Sequence, residues 1–214
     1  MTDRSLGYLI TLEGGEGAGK TTAATLIRDW LEAKGREVVM SREPGGTPLA
    51  ERIRAVLLDP EVKGMSPTTE LLLMFAARSE NLDRLIRPAL AKGQDVVCDR
   101  FTDASRAYQG AGRELGLARV DLLAEVVHPD LTPDLTLLLD VPVNLGMERV
   151  GQRGDTLNRF ELSEQAFFER VRQGYLDQAA KEPERFCVIN AAQDLEAVQS
   201  DILTALESRL TGWM

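Results

Sequence analysis

Short apolar runs alternate with longer amphipathic segments along the chain. The apolar runs are YLITLE, EVVMS, DVVCD, LTLLLDV and RFCVIN, and they have the length and polar borders that are typical of β-strands. The segments between them have a helical period, and we predict helices at residues 20–34, 47–58, 67–86, 118–127, 143–150, 163–180 and 195–210. This alternation predicts an α/β fold, with a five-stranded parallel sheet flanked by helices on both faces.

The first apolar run leads into a glycine-rich bend that matches the pattern G-x-x-x-x-G-K-T from Gly14 to Thr21. In this motif backbone N–H groups point at phosphate oxygens, the lysine reaches the β and γ phosphates, and the hydroxyl binds magnesium. We predict that ATP or GTP binds here with Mg²⁺, that Lys20 is catalytic and that Thr21 binds the metal. The predicted nucleotide-binding residues are Gly14, Gly15, Glu16, Gly17, Ala18, Gly19, Lys20, Thr21 and Thr22.

Two carboxylates, Glu13 and Glu16, lie beside or within this phosphate-binding loop. A negative side chain at this place should repel a polyanionic ligand unless it has another task. The motif alone does not say what that task is.

The length, net charge and composition of the chain limit the kinds of molecule that it is expected to bind. A length of 214 residues predicts one domain over residues 1–214, and a net charge of -9 argues against binding to nucleic acid or to an anionic membrane. No apolar stretch reaches the ~20 residues of a membrane span, and the first apolar run is too short for a signal peptide. Cys98 and Cys187 have no CxxC spacing, which fits a reducing compartment. We expect a soluble cytoplasmic protein with small-molecule ligands.

Charged residues also follow the second and third apolar runs, where parallel sheets bind their ligands. The segment SREPGGT carries Arg42 and Glu43, although alone it could be an ordinary loop with a surface ion pair. The run VVCDRF ends in Asp99 and Arg100, and this is where phosphate-loop proteins keep a carboxylate on the magnesium side.

The segment ERVGQRGDTLNRFE carries Arg149, Arg153 and Arg159. It could be a solvated surface hairpin, but three arginines in an acidic protein favour a segment that closes over phosphates. We predict such a lid at residues 149–161.

The motifs EGGEGAGKTT, REPGGT and DRFTDASRAYQG, followed by an arginine-bearing lid and the helix FFERVRQGYL, together resemble the thymidylate kinases. The resemblance spans nearly the whole chain. It implies the fold of a P-loop nucleoside monophosphate kinase with a lid, and transfer of the γ-phosphoryl group of ATP to dTMP for dTTP synthesis. It also implies Mg²⁺ as cofactor and a homodimer through helices on one side of the sheet.

The resemblance assigns roles on the donor side. Glu16 stands at the loop position where some members carry a catalytic arginine, so Arg153 of the lid would supply that group here. Arg149 would contact ATP. We further infer that Glu16 could pair with Arg153 and act as a latch.

The resemblance likewise assigns the acceptor side. Glu13 would help to orient dTMP and, with Arg42, would belong to the catalytic group. The residues implied around the acceptor phosphate and the metal are Arg42, Arg54, Arg100, Glu43 and Asp99. Those implied around the nucleoside are Arg78 and Ser105 at the base edge, Gln109 beside the base, Tyr108 against the sugar, and either Met74 or Phe75 over the thymine.

Some positions depart from the family pattern. Phe101 stands where His or Tyr is usual, Ala104 where Ser is usual, and Asn158–Arg159 where the lid usually ends in Asp-Arg. The stacking phenylalanine usually lies four residues before the arginine, at the position of Met74, which leaves the choice between Met74 and Phe75 open.

Two other functions compete with this interpretation. A deoxynucleoside kinase would need a carboxylate base for the 5′-hydroxyl and fewer cations around the acceptor. A nucleotide-dependent switch would need a partner-binding surface or, for GTP, an NKxD element, which the sequence lacks.

Overall fold

Five parallel strands form the central sheet of this protein, whose computed structural model describes residues 6–152, 154 and 156–210. The strands are β1 (Leu9–Glu13), β2 (Val38–Arg42), β3 (Asp95–Asp99), β4 (Leu135–Asp140) and β5 (Phe186–Asn190), in the spatial order β2-β3-β1-β4-β5. Helices cover both faces, so the predicted fold class is confirmed.

The helices lie close to their predicted positions. They are α1 (Lys20–Ala33), α2 (Pro48–Leu58), α3 (Pro67–Asn81), α4 (Arg87–Ala91), α5 (Thr102–Ser105), α6 (Leu117–Val127), α7 (Val143–Gln152), α8 (Gln165–Lys181) and α9 (Leu195–Leu210). The helical path after α3 continues through a π-helical turn, Leu82–Ile86, and past Pro88 to Ala91. The predicted end at residue 86 was therefore wrong, because proline is tolerated in the first turn of the helical segment that follows.

The sequence analysis missed the helical segment between residues 102 and 112. It consists of α5 and a π-helical turn, Arg106–Gly112, that packs against α8. A Cβ atom on Gly112 would lie 2.7 Å from the ring of Phe167, and one on Gly174 would lie 2.8 Å from Cβ of Ala111. The missing Cβ atoms of Gly112 and Gly174 allow this close approach.

Alternation along β1 decides which side chains face which helices. Ile10 and Leu12 join the core that α1 and α9 cover, whereas Leu9 contributes to the core on the opposite face. Thr11 and Glu13 also lie on that opposite face, since alternate residues of a strand point the same way. Glu13 is thereby directed away from α1 and towards α8.

None of the helices in the described part of the chain has the length and apolar character that crossing a bilayer requires.

Candidate active site

The phosphate-binding loop connects β1 to α1 and packs tightly against α7. Gly17 has φ +69°, and a Cβ atom at this residue would lie 2.1 Å from the carbonyl oxygen of Gly146. Only glycine fits such an approach of two backbones. The loop is therefore held in place by α7, the helix in which the predicted lid begins.

Lys20, the first residue of α1, folds back over the loop. Its Nζ atom donates hydrogen bonds to the carbonyl oxygens of Gly14 (3.1 Å) and Gly15 (2.9 Å). Burial, and then the nearby positive charge of Arg100, lower the pKa of Lys20. A bound phosphate would offset both effects, because a negative charge favours the protonated amine.

Glu13 lies beneath the loop and is fully buried. Its Oε1 accepts a hydrogen bond from the backbone N–H of Phe101 (2.7 Å), and its Oε2 accepts one from the hydroxyl of Tyr175 (2.7 Å). Burial, with a contribution from Asp103, raises the pKa of Glu13 to about 8. Burial thus disfavours the negative charge of this carboxylate beneath the phosphate-binding loop.

Arg100 connects the loop to the rest of the site. It follows β3 with a φ of +71°, and its backbone N–H donates to the carbonyl oxygen of Leu12 (2.9 Å). Its guanidinium donates to the carbonyl oxygen of Gly14 (3.1 Å) and the hydroxyl of Tyr175 (3.2 Å). The direction of this side chain is thus fixed from several sides.

The negative charge of Glu16 is paired with the positive charge of Arg100. Its Oε1 accepts hydrogen bonds from Arg100 (3.0 Å) and from the hydroxyl of Tyr108 (2.9 Å). Glu16 therefore orients the side chains of Arg100 and Tyr108, which lie opposite the phosphate-binding loop. Arg153 lies outside the described residues, so its pairing with Glu16 stays a prediction.

A cavity opens beside the loop, between α2, α3, the segment that follows β3, and residues 158–160. The predicted site residues on its wall are Glu16, Glu43, Arg54, Met74, Arg78, Arg100, Ser105, Tyr108 and Gln109. The sequence analysis did not assign contacts to the other lining residues, which are Pro44, Leu58, Phe101, Ala104, Asn158 and Phe160. Glu13, Arg42 and Phe75 are not among the lining residues.

Arg78 is the most deeply buried cation on this wall, with 2% of its surface exposed. Its Nε donates to Oε2 of Glu43 (2.7 Å), and its Nη2 donates to the carbonyl oxygen of Phe101 and to Oγ of Ser105 (both 3.0 Å). Its Nη1 is buried without a hydrogen-bond partner among the described residues. A buried unpaired donor is costly, and an acceptor atom of a ligand or an ordered water would remove this cost.

Met74 and Phe75 occupy different environments. Met74 lines the cavity, whereas Phe75 is buried in a core cluster with Val120 of α6. The guanidinium of Arg78 lies 4.5 Å from the centre of the Phe75 ring. Of the two candidates for the base contact, Met74 therefore has access to the cavity, and Phe75 supports Arg78 from behind.

Arg42 ends β2 on the outer side of the site. Its side chain is 55% exposed and pairs with Glu51 of α2, with Nη2 2.9 Å from Oε2. The structure therefore does not bring Arg42 into the cavity with Arg54 and Arg100, because Glu51 holds it at the surface.

Asp99 ends β3, and its Oδ1 atom is buried without a hydrogen-bond partner among the described residues. The described residues contain no cluster of three or more His, Cys, Asp or Glu side chains that could enclose a metal ion. Mg²⁺ usually takes one or two carboxylates together with phosphates and waters. Asp99 and the hydroxyl of Thr21 therefore fit a magnesium ion that is bound jointly with a nucleotide.

A second cavity lies on the opposite side of the loop. Its lining includes Gly19, Thr22, Arg149 and Gln193. Arg149 donates a hydrogen bond to the carbonyl oxygen of Ala191 (2.8 Å), at the end of β5. The loop thus separates two cavities, and each could hold one nucleotide.

The raised pKa of Glu13 predicts how stability depends on pH. Between about pH 4.5 and 8, the folded chain keeps the proton of Glu13, whereas the unfolded chain has already lost it. This contribution to stability is fully present below pH 4.5 and is lost as the pH rises to 8. We expect Glu13→Gln to flatten the decline of the unfolding free energy between pH 5 and 8, by up to about 1 kcal/mol per pH unit.

The measurement is urea denaturation at several pH values. Glu51→Gln is the control: pairing with Arg42 lowers the pKa of Glu51, so its effect belongs below pH 4.5. A slope for Glu13→Gln equal to that of the parent protein would contradict the assignment.

Comparisons with known proteins identify the family and support the fold. The family model described as thymidylate kinase matches residues 12–202. The thymidylate kinase of Alkalilimnicola ehrlichii is 55% identical over 208 residues, which cover 97% of this chain and 96% of that protein. The thymidylate kinase of Pseudomonas fluorescens is 55% identical over 204 residues, which cover 95% and 97%. The crystal structure of thymidylate kinase from Ehrlichia chaffeensis matches with a TM-score of 0.76 and 34% identity over 94% of this chain and 98% of that one. The chain belongs to the thymidylate kinase family.

Proposed function

We propose that the cavity lined by Arg78 and Arg100 is the dTMP site of a kinase that transfers the γ-phosphoryl group of ATP to dTMP. The chain phosphorylates dTMP to dTDP, as expected of a member of the thymidylate kinase family. The observation that carries the assignment is Arg100, which lines the cavity and also donates a hydrogen bond to the phosphate-binding loop. An acceptor phosphate on Arg100 would therefore lie beside the phosphates held by the loop.

On the donor side, we propose that ATP binds along the loop with its phosphates near Lys20 and its base in the cavity of Arg149. Thr21 and Asp99 would hold Mg²⁺. When it is bound, the ion would neutralise part of the charge of the donor phosphates. The cavity beside α7 and the buried unpaired oxygen of Asp99 support these assignments.

On the acceptor side, we propose that Arg54 and Arg100 bind the phosphate and that Tyr108 lies against the sugar. The base would lie over Met74, with its polar edge towards Arg78, Ser105 and Gln109. Glu43 would act through its ion pair with Arg78, Glu13 through its hydrogen bond to the backbone of Phe101, and Arg42 from the rim of the site.

Phosphoryl transfer to dTMP does not require a strong general base. The acceptor is a phosphate oxygen that is already anionic, so catalysis consists of aligning two polyanions and neutralising their charge. The sequence contains one histidine that could act as a general acid or base, His128. Burial lowers the pKa of His128 to about 4, and its side chain hydrogen-bonds to Thr102 (2.7 Å). His128 is therefore a structural residue.

We propose that residues 1–214 form one domain with a lid at 149–161. Two free cysteines, Cys98 and Cys187, support a cytoplasmic location, since disulfides are rare in reducing compartments.

Separate substitutions should distinguish the two substrate sites. We expect Lys20→Ala to lower kcat strongly, and Arg100→Ala to lower kcat/KM for dTMP by about 100-fold or more with a smaller effect on the KM for ATP. Release of ADP is measured in a coupled assay with and without dTMP. Arg87→Ala is the control, because it removes a positive charge that is paired at the surface with Asp130.

Normal turnover of Arg100→Ala at ordinary dTMP concentrations would contradict the placement of the acceptor site. ADP release that does not depend on dTMP would instead contradict the kinase function.

We propose Arg153 as the catalytic arginine, on the basis of the resemblance to members that carry this group in the lid. Arg153→Ala should lower kcat far more than it raises the KM for ATP, since the contact would form only in the closed state. We expect a loss below the ~10³–10⁵ of arginine fingers in GTPases, because the predicted lid also carries Arg149 and Arg159, which could compensate in part. Arg153→Lys should retain part of the rate. A variant with unchanged kcat would exclude this role.

We propose that a second copy of the chain covers the outer face of α2, α3 and α6. These helices pack side by side and carry exposed apolar residues, which are Leu49, Val56, Leu72, Leu122 and Val126. An apolar face of this kind on neighbouring helices favours a protein partner over water.

Light scattering during size-exclusion chromatography tests the proposed dimer. The parent protein should elute as a dimer, and Leu122→Glu with Val126→Glu should convert it to a monomer. Leu195→Glu is the matched control, since Leu195 is exposed on α9, away from this face. A monomeric parent protein, or a dimer that the double substitution leaves intact, would contradict the proposal.

A further inference from the structure

Glu70, in the first turn of α3, is a buried carboxylate behind the wall of the acceptor cavity. It is 1% exposed, and its Oε1 accepts a hydrogen bond from Nε2 of Gln109 (2.9 Å). Two guanidinium groups balance its charge: Nη2 of Arg113 lies 3.3 Å and Nη2 of Arg159 lies 2.7 Å from Oε2. Arg159 is itself fixed, because its Nε donates to the carbonyl oxygen of Leu57 (2.8 Å).

An ionised carboxylate accepts hydrogen bonds and cannot donate them. The side of the Gln109 carboxamide that faces Glu70 must therefore be the NH₂ group. Gln109 lines the cavity, whereas Glu70 lies behind it. The amide oxygen is then the polar atom that Gln109 can present to a ligand. Among the described residues, no group donates a hydrogen bond to this oxygen.

Arg78 lines the same cavity, and its buried Nη1 has no hydrogen-bond partner among the described residues. The wall therefore offers one fixed acceptor, the amide oxygen of Gln109, and one fixed donor, Nη1 of Arg78. A 4-oxopyrimidine has the complementary pattern, since N3–H donates and O4 accepts. Cytosine has the reverse pattern: N3 accepts and the 4-amino group donates.

We propose that Glu70 is a positioning residue for base specificity, which fixes the carboxamide of Gln109 so that the site accepts thymine and rejects cytosine. The proposal rests on the proposed function, which places the acceptor base in this cavity. Glu70 does not touch the substrate, and its effect passes through the orientation of one amide.

The substitution Glu70→Gln removes the constraint with almost no change in shape. The new carboxamide should place its oxygen at the position of Oε2, which faces two guanidinium nitrogens, Nη2 of Arg159 (2.7 Å) and Nη2 of Arg113 (3.3 Å), whereas Oε1 faces only Nε of Arg113 (3.3 Å). Its NH₂ group would then lie opposite Gln109. The amide of Gln109 can then rotate and present its own NH₂ group to the cavity. We expect the ratio of kcat/KM for dCMP to that for dTMP to rise about 10- to 100-fold, because one unpaired contact with cytosine is relieved.

The acceptor dUMP provides an internal control within the same variant. Uracil has the same N3–H and O4 groups as thymine and differs only at the 5-methyl group. The ratio of kcat/KM for dUMP to that for dTMP should therefore stay unchanged in Glu70→Gln. A general loosening of the cavity would change both ratios.

Two further variants test whether Glu70 acts by positioning the carboxamide of Gln109 or through the charge balance with the arginines beside it. Arg113→Met removes one cation from Glu70 and leaves the carboxylate that holds Gln109, so the dCMP-to-dTMP ratio should match that of the parent protein. In a Gln109→Leu background, adding Glu70→Gln should not change this ratio further, since the amide through which Glu70 acts is absent.

Thermal denaturation with saturating dTMP verifies that each variant is folded. A folded Glu70→Gln with the parent ratio, an equal rise in Arg113→Met, or an additive effect in the Gln109→Leu background would each overturn the role of Glu70. These outcomes are distinct from failure of the proposed function, in which the unsubstituted protein would not phosphorylate dTMP at all.

Discussion

The rest of the site depends on one side chain, Arg100, which lines the cavity beside the phosphate-binding loop and donates a hydrogen bond to that loop. Phosphoryl transfer between two nucleotides requires two polyanions to lie side by side, so a cation must be fixed between them. The left-handed backbone of Arg100 costs about 1 kcal/mol or more for a residue other than glycine. The hydrogen bond of its N–H group to Leu12 holds this conformation, and the parallel sheet thereby directs the guanidinium across β1 to the phosphate-binding loop.

Burial of charge gives the cavity lined by Arg78 and Arg100 its rigid wall. Ion pairs taken out of water gain little net stability, yet removing one partner is strongly destabilising, so the pairs define a single arrangement. Glu43 pairs with Arg78 in this way, and Glu16 pairs with Arg100. These two cations of the cavity wall are thus each held by a carboxylate, and this reduces the reorganisation needed when substrate binds.

The sequence predicted the features that are encoded locally. The strands, most of the helices and the phosphate-binding loop follow from periodicity and one contiguous motif. Other features depend on contacts between distant segments. Tyr175 is 162 residues from Glu13, and Glu70 is 39 residues from Gln109, so no spacing rule connects them. Met74 and Phe75 share the side of α3 near Arg78, and the packing of α6 decides which of them is buried in the core.

The unpaired atoms of the site are the strongest sign that it is built for a ligand. Oε1 of Glu43, Nη1 of Arg78 and Oδ1 of Asp99 are buried without hydrogen-bond partners among the described residues. Each such group costs about 1–3 kcal/mol in the folded protein. Three of them near the ends of neighbouring strands would be hard to explain as packing defects. Because a nucleotide, a metal ion or ordered water can satisfy them, the cost becomes part of the binding selectivity: a ligand that fails to supply the matching atom leaves the penalty in place.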